Sequence, residues 1–342
     1  MEPVDREFML EALALAQMGW GLTNPNPMVG AVIVKDGKVI GRGFHRKAGE
    51  AHAEINALND VKRKNIDPRG ATIYVTLEPC STYGRTPPCT EAIIANKLAR
   101  VVIGSLDPNP KHNGKAVEIL RKNNIEVEYG IESAACSELN RPFFCWVTTG
   151  KPLVILKMAM TLDGNIATVS GDSKWVTGAD ARKRVQQLRR LCDAVIVGAE
   201  TVRLDHPQLT VREPESWERQ PLRVVASSTF NADELNEYFP DGNACIADLS
   251  SPEKWEDFLR ELGERKMTAV LLEGGGTLAG SALRAGVVDY VEFHIAPKLL
   301  GGAGRPVTGG LAPELMSEAL MLKNMEVKHY GDDIAVCGYL KA

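Results

Sequence analysis

Three residues in the first third of the chain could hold a metal together: His52, in His52-Ala53-Glu54; Cys80, in Pro79-Cys80; and Cys89. One imidazole and two thiolates are the three protein ligands of an open tetrahedral zinc site, whose fourth position takes water. Zinc lowers the pKa of that water to roughly 7, which gives a nucleophile at neutral pH. Glu54, two residues beyond the imidazole, can carry a proton from that water to a departing group. Taken singly the residues say little: any one His-x-Glu is mostly chance, and a lone cysteine is more often a small buried hydrophobe. Their joint pattern is that of a hydrolytic metal site.

A closed structural site would need a fourth ligand. His45 could supply it, but structural zinc sites usually use close cysteine pairs. His-x-Glu with Pro-Cys is the layout of zinc-dependent base deaminases. Deaminases of nucleic acids and nucleosides keep two residues between their cysteines, whereas eight, Ser81 to Pro88, stand between Cys80 and Cys89. Gly84, Pro87 and Pro88 suit that segment to a stiff turn. Residues two apart on a regular helix point about 200° apart, so His52 and Glu54 must converge through the geometry of the helix start. Cys136, Cys145, Cys192, Cys245 and Cys337 fit no ligand spacing and read as structural.

A second constellation lies late in the chain, where strand TAVLLE runs into Glu273-Gly274-Gly275-Gly276-Thr277 and then a helix through about Ala285. Glycines between strand and helix let the backbone approach a phosphate, and helix N–H groups favour negative charge. The spacing of Gly274, Gly276 and Gly280 misses the dinucleotide fingerprint by one residue, and no acidic ribose partner follows. On the motif alone, a tight turn explains these glycines nearly as well.

The elements that would position these residues fall into two series. A helix over about 3–19 carries Met9, Ala12, Leu13 and Ala16 on one face. VGAVIV and KVIGRGFH flank Asp36-Gly37, a hairpin signal. A helix near 52–60, strand ATIYVT, a helix near 90–98, strand RVVIG, a helix near 114–123 and strand IEVEY follow, the pattern of a sheet with helices on its faces. Arg141 to Pro152, with two prolines and Gly150, is the expected boundary, giving domains 1–149 and 150–342. Beyond it PLVILKMAM opens a new series. Thr177 to Asp180 reads as a capping box before a helix with Ala181, Val185, Leu188 and Cys192 on one face. Strands DAVIVG, RVVA, TAVLLE and YVEFHI follow, and an antiparallel hairpin around Gly331-Asp332-Asp333 closes a mixed sheet.

Composition agrees with two soluble α/β domains: 342 residues, 44 % apolar and 25 % charged. Apolar runs are strand-sized, so no membrane span is expected, and the acidic start of the chain has no signal-peptide pattern. Seven cysteines, an odd number without export signals, argue for reduced thiols in the cytoplasm. Residues 1–150 carry 18 Lys and Arg against 17 Asp and Glu, and residues 151–342 carry 22 against 27. Neither half has the basic surplus of a nucleic-acid binder, so the expected partners are small molecules.

TNPNPMVGAVIVKDGKVIGRGFHRKAGEAHAE and TLEPCSTYGRTPPC closely resemble the bifunctional deaminase–reductase family of riboflavin biosynthesis, in which eight residues between the cysteines are usual. LKMAMTLDG, GDSKWVT, ETVRLDHPQLTVR, LLEGGGTLAGSAL and IAPKLLGG resemble its reductase domain. Together the motifs cover nearly the whole chain. The resemblance implies an N-terminal cytidine-deaminase-like α/β/α domain and a C-terminal dihydrofolate-reductase-like mixed-sheet domain. It implies that His52, Cys80 and Cys89 hold one zinc ion, that Glu54 is the proton shuttle, and that Asn24, His45, Arg85, Asp107 and Asn109 line the first substrate pocket. Their sequences Asn24-Pro25-Asn26-Pro27 and Asp107-Pro108-Asn109-Pro110 are also good turns in their own right.

For the reductase the resemblance gives NADPH contacts to Ala159, Trp175, Thr201, Asp205, Ser228 and the turn Gly275, Gly276, Thr277, Leu278, Ala279, Gly280 and Ser281. It gives substrate contacts to Ser173, Arg189, Leu209, Arg212 and Glu273, with Lys157, on the first strand of the domain, facing the sugar. Arginines suit the substrate's phosphate because a guanidinium is a planar fork of donors. Without the resemblance, Arg189 would read as a solvated helix face and Trp175 as core. The chain departs from the family at Thr82, where His is usual, and at Glu200, His206 and Ser227; a carboxylate at Glu200 would oppose cofactor phosphates.

The expected function is therefore two consecutive steps on a phosphoribosylated pyrimidine, deamination of diaminohydroxyphosphoribosylaminopyrimidine and NADPH-dependent reduction of the ribosyl chain of the resulting uracil, by a homo-oligomer with no nucleic-acid or membrane partner. A nucleic-acid base deaminase and a zinc-stabilised nucleotide sensor are the alternatives. Ammonia release from RNA would mark the first, and NADPH binding without turnover the second.

Overall fold

In the computed structural model, which describes residues 3–83, 87–110 and 112–341, the chain divides into two units, Met1–Thr149 and Gly150–Ala342. The first is built from α1 (Pro3–Gln17), β1 (Gly30–Lys35), β2 (Lys38–Phe44), α2 (Ala53–Arg63), β3 (Thr72–Leu77), α3 (Cys89–Ala95), β4 (Arg100–Ser105), α4 (Lys115–Lys122), β5 (Glu126–Tyr129), α5 (Ser133–Leu139) and α6 (Arg141–Thr149). Its sheet has the order β2-β1-β3-β4-β5, with β1 antiparallel to both neighbours and β3, β4 and β5 parallel. Strand residues alternate between two cores. Ala31, Ile33, Ile73, Val75, Val101 and Ile103 meet Ala57, Val61, Ile93 and Leu120 of α2, α3 and α4, while Val32, Tyr74 and Val102 meet Met9 and Ala12 of α1 and Cys136 of α5. The result is three layers, α/β/α.

The stretch expected to be the boundary is not open chain. Its first nine residues form α6, with Pro142 in the first turn, where a missing N–H costs no helical hydrogen bond. The helix stops at Gly150, whose φ is 73°. Of the two prolines that read as linker punctuation, Pro142 belongs to a helix start and only Pro152 lies in the short connection before β6.

The second unit contains β6 (Leu153–Thr161), β7 (Asn165–Ala167), α7 (Ala179–Leu191), β8 (Ala194–Gly198), α8 (Ala199–Asp205), β9 (Leu222–Ala226), α9 (Ala232–Tyr238), β10 (Ala244–Ala247), α10 (Pro252–Glu264), β11 (Ala269–Glu273), α11 (Gly276–Arg284), β12 (Tyr290–Ala296), β13 (Arg305–Pro306), β14 (Lys323–Tyr330) and β15 (Asp333–Tyr339). Eight strands form one mixed sheet in the order β10-β9-β8-β11-β6-β12-β15-β14. It is parallel from β10 to β12 and antiparallel at β15 and β14. One face carries Val154, Leu156, Ile196, Val270 and Leu272 against Trp255 and Leu262 of α10 and Ala282 of α11. Helix α7 reaches the sheet with Ala181, Val185 and Leu188 buried, and its C-cap is the buried Cys192.

The capping box expected at Thr177 does not form. The N-cap of α7 is Gly178, with no side-chain cap. Its N–H instead donates to Asp333 Oδ2, 2.6 Å away at the start of β15, so a partner distant in sequence replaces the local one. Among the described residues no helix is long and apolar enough to cross a membrane.

Helix α2 lies directly on β2. A Cβ at Gly43 would overlap the Ala53 carbonyl oxygen and the Ala57 nitrogen, so only glycine admits the start of α2 so close to the strand. Gly43→Ala is expected to destabilise the chain by about 1–3 kcal/mol, the usual cost of overpacking, and to weaken metal binding through His52. Thermal unfolding with and without zinc checks this; an unchanged Tm and zinc affinity would mean that α2 has room to retreat.

Candidate active sites

The first site gathers at the ends of three elements. His52 is the N-cap of α2, Cys80 follows β3, and Cys89 opens α3. His52 Nδ1 lies 3.5 Å from Cys80 Sγ and 3.4 Å from Cys89 Sγ, and one ligand atom from each residue falls within 4.8 Å of the others. The Cys89 N–H donates to Cys80 Sγ at 3.2 Å. His52 has an extended backbone, with ψ 165°, so it precedes the helical rotation that would set it about 200° from Glu54. That is how the two converge.

Glu54, in the first turn of α2, is buried, and burial is the main reason its carboxyl titrates above the usual range; the charge of Cys80 adds to this. The Cys80 thiol is held down to about 4 by hydrogen bonds from the Cys89 thiol, the His52 ring and the Cys89 N–H. The proton of the cysteine pair stays on Cys89, whose thiol is pushed up by its hydrogen bond to Cys80 and by burial. One imidazole, one ready thiolate and one thiol that a cation would deprotonate fit zinc as a donor set.

His45 is not a fourth ligand. Its Nδ1 lies 3.1 Å from the Ala51 carbonyl, which can only accept, so Nδ1 carries the proton and Nε2 accepts from Asn26 Nδ2 at 3.1 Å. Both nitrogens are used, and burial holds the ring neutral by lowering its pKa. The ring packs edge-on to His52 with centroids 5.5 Å apart, and its bond to Asn26 ties the 23–26 turn, which holds the half-buried Asn24, to that ring. Asp107 Oδ1 accepts from the Asn109 N–H at 2.8 Å, a local turn, and burial raises the Asp107 pKa. Arg85 lies outside the described residues.

Sequence reasoning missed Glu78. Its buried carboxylate accepts from the backbone N–H groups of Asp107 at 3.2 Å, Gly114 at 3.0 Å and Ala116 at 2.9 Å. It therefore ties the 107–116 segment to the strand end that carries Cys80. No local pattern reveals this, because the three donors come from 29 to 38 residues away.

The second unit holds a cavity of about 500 Å³. Ala159, Trp175, Thr201, Asp205, Gly275, Gly276 and Thr277 line it, as do Lys157, Ser173, Arg189, Arg212 and Glu273. Ser228, Leu209, Leu278, Ala279, Gly280 and Ser281 do not. Leu209 is buried with a φ of 55°, and Ser228 sits exposed beyond β9. The last four lie within α11: Ala279 is in the core, and the Ser281 hydroxyl accepts from Trp255 Nε1 at 3.4 Å. Gly276 and Gly280 answer to packing, since a Cβ at either would overlap the backbone of Pro306 or Gly309. Gly275, the N-cap of α11, meets only the Thr201 hydroxyl, so the part of the turn open to a phosphate is its first residues.

Two expectations from local pattern are reversed. Trp175 is 65 % exposed, with Arg182 4.7 Å above its ring. Arg189 is 8 % exposed, its guanidinium bonded to both Glu273 oxygens at 2.7 Å and to the Thr210 carbonyl at 3.0 Å. The Glu273 carboxyl is held low, against its burial, by the charge and hydrogen bonds of Arg189. Glu200 does not stand as a bare charge, because it pairs with Arg305 at 3.2 Å. The cavity wall thus carries Lys157, Arg182, Arg189, Arg212 and Arg305 against Glu200, Asp205 and Glu273. This positive surplus, with the α11 N-terminus beside it, fits a polyanionic dinucleotide.

A metal cluster of deaminase type in one unit and a cation-lined cavity in the other define a two-site enzyme, one site hydrolytic and one built for a nucleotide cofactor. The family model of the cytidine and deoxycytidylate deaminase zinc-binding region matches residues 2–105, and that of the RibD C-terminal domain matches residues 152–336. Riboflavin biosynthesis proteins RibD of Actinobacillus pleuropneumoniae and Aquifex aeolicus are 41 % and 40 % identical to the chain, covering 96 % and 97 % of it and 94 % and 98 % of their own lengths. Among solved structures, RibD of Acinetobacter baumannii matches with a TM-score of 0.86 at 38 % identity, over 98 % of both chains. A diaminohydroxyphosphoribosylaminopyrimidine deaminase/5-amino-6-(5-phosphoribosylamino)uracil reductase of Thermotoga maritima matches with a TM-score of 0.86 at 37 % identity, again over 98 % of both. The chain belongs to the RibD family, the bifunctional deaminase–reductases of riboflavin biosynthesis, with zinc and NADPH as cofactors.

Glu78→Gln is expected to cost about 1–3 kcal/mol, because the amide nitrogen would face backbone donors that then lose their acceptor. It should raise KM for deamination while leaving bound zinc unchanged. Steady-state kinetics with metal analysis measures both; an unchanged KM would show that the 107–116 segment holds its place without Glu78.

Proposed function

We propose that residues 1–149 are the zinc-dependent pyrimidine deaminase, that residues 150–342 are the NADPH-dependent reductase, and that they act in turn on one phosphoribosylated pyrimidine. The observation that carries this reading is the convergence of His52 Nδ1, Cys80 Sγ and Cys89 Sγ beside the buried Glu54. When bound, zinc supplies an activated water and NADPH a hydride. His52, Cys80 and Cys89 hold the metal. Glu54, desolvated and so more basic than an ordinary carboxylate, takes a proton and passes it to the departing amine. Asn24, His45, Arg85, Asp107 and Asn109 line the first substrate pocket, His45 through its ring face and by holding Asn26, since both of its nitrogens are occupied.

In the reductase, Ala159, Trp175, Thr201, Asp205 and the Gly275–Thr277 turn take the cofactor. Arg212, exposed on the cavity wall, meets the substrate phosphate, whereas Arg189 spends its fork on Glu273 and holds that carboxylate toward the sugar. Lys157 and Ser173 complete the sugar contacts.

Strand β14 is an exposed edge, with Met325 and Val327 in the open, and Leu315, Met316 and Met321 just before it in the chain are exposed too. An unpaired apolar edge is what a second copy of a chain covers, so we assign this surface to a homo-oligomer; sedimentation equilibrium should return more than a monomer, and a monomer would contradict it. None of the seven cysteines is in a disulfide, which suits a reducing cytoplasm.

Glu54→Gln should abolish ammonia release with zinc still bound, and should still oxidise NADPH when given the deaminated substrate. Ammonia release at the wild-type rate would falsify the role of Glu54.

A further inference from the structure

The register of the second sheet sets three charged residues side by side: Glu273 on β11, Lys157 on β6 and Glu292 on β12. Residues paired across strands share a face, so Lys157 has a carboxylate on each flank. Helix α7 clamps both. Arg189 binds Glu273 through two bonds of 2.7 Å, and Arg184 binds Glu292 through bonds of 2.9 and 3.0 Å. Glu292, fully buried, also takes His294 Nε2 at 2.9 Å. The ring of His294 is buried, stacks on Tyr330 with centroids 5.3 Å apart, and has no partner at Nδ1. Lys157, Arg189 and Glu273 line the cavity, while Arg184, Glu292 and His294 stand behind it.

Each carboxylate is matched by one guanidinium, which leaves Lys157 as the surplus cation at the cavity floor. Desolvation pulls the Lys157 pKa down; Glu273, Glu292 and, from the start of β15, Asp333 push it back up, against Arg189. His294 is held neutral by burial, so it adds no second cation beside Lys157. A buried ion pair such as Arg184–Glu292 is a poor stabilising device, since desolvation of both partners offsets their attraction. Its charge beside Lys157 is another matter.

We propose that Glu292 is a positioning residue of the reductase: clamped by Arg184 and His294, it orients the Lys157 side chain from behind and keeps its ammonium charged, so that Lys157 can donate to an oxygen of the substrate's sugar. The proposal rests on reading the cavity as the reductase site. Removal of Glu292 leaves Lys157 with one flanking carboxylate, and its ammonium then loses its proton at lower pH.

The test uses the full-length zinc- and NADPH-loaded enzyme and deaminated substrate. Glu292→Gln should move the alkaline limb of the reductase kcat profile down by about one pH unit, the effect of one nearby charge, so that kcat above that limb falls about tenfold. KM for NADPH and the rate of ammonia release should not change. Because this variant strands Arg184, the pair is also removed as a unit in Arg184→Met/Glu292→Gln, which should recover Tm but keep the displaced limb. A double variant with the wild-type limb would reduce Glu292 to a partner for Arg184 and overturn the proposal, as would a Glu292→Gln profile identical to wild type. NMR of labelled lysine in the wild type, with the Lys157 signal assigned by Lys157→Arg, needs no Glu292 variant: a neutral Lys157 at about pH 7 also overturns it. Wild-type enzyme that fails to oxidise NADPH would instead refute the reductase reading itself.

Discussion

Parallel strand pairing places both sites. Parallel neighbours cannot be joined by a tight turn, so each strand hands on to a helix and the loops at the strands' carboxyl ends collect along one edge. In the first unit that edge receives Glu78 to Cys80 from β3 and Asp107 from β4, and β2, running the same way across the antiparallel β1, brings Phe44 and His45 to it, with the N-terminus of α2 set against it by Gly43. In the second it receives Lys157 to Ala159 from the second half of β6, the start of α8 after β8, and Glu273 to Thr277 from the end of β11 onward. Each unit makes its site from its own edge.

Electrostatics then divides the labour. The first site is a cluster of groups that share protons: a thiolate held low by its donors, a thiol held high by its bond to that thiolate and by burial, and a carboxyl held high mainly by burial. Such a cluster is matched to one cation of charge two and to moving a proton. The second works by paired charge, with carboxylates neutralised by arginines so that the unpaired lysine faces the cavity. That arrangement binds and orients anions and sugar oxygens.

Much of this was legible in the sequence where the signal is local. The Asp36-Gly37 hairpin, the helical repeat of α1 and the strand-glycine-helix passage into α11 are each written within a few residues. The metal ligands were legible from residue type, although their convergence depends on His52 standing outside the helix, a backbone angle that no spacing gives. What failed was long-range. Thr177 does not cap α7: the N-cap is Gly178, whose N–H goes to Asp333, 155 residues away. Gly280, read as a phosphate contact, lies off the cavity and packs against Gly309, whereas Gly276 lines the cavity and also packs against Pro306. Arg189 looked solvated because its partner Glu273 is 84 residues distant, and Glu78, Arg184 and Glu292 gave no sign for the same reason.

The central claim is that one chain carries two chemically separate sites, only one of which needs a metal. Exhaustive removal of zinc with a chelator, followed by parallel assays of ammonia release and of NADPH oxidation with deaminated substrate, tests it most directly. The account predicts that the first activity disappears and returns with added zinc while the second persists throughout. Loss of NADPH oxidation in step with the metal, or ammonia release that survives its removal, would contradict it.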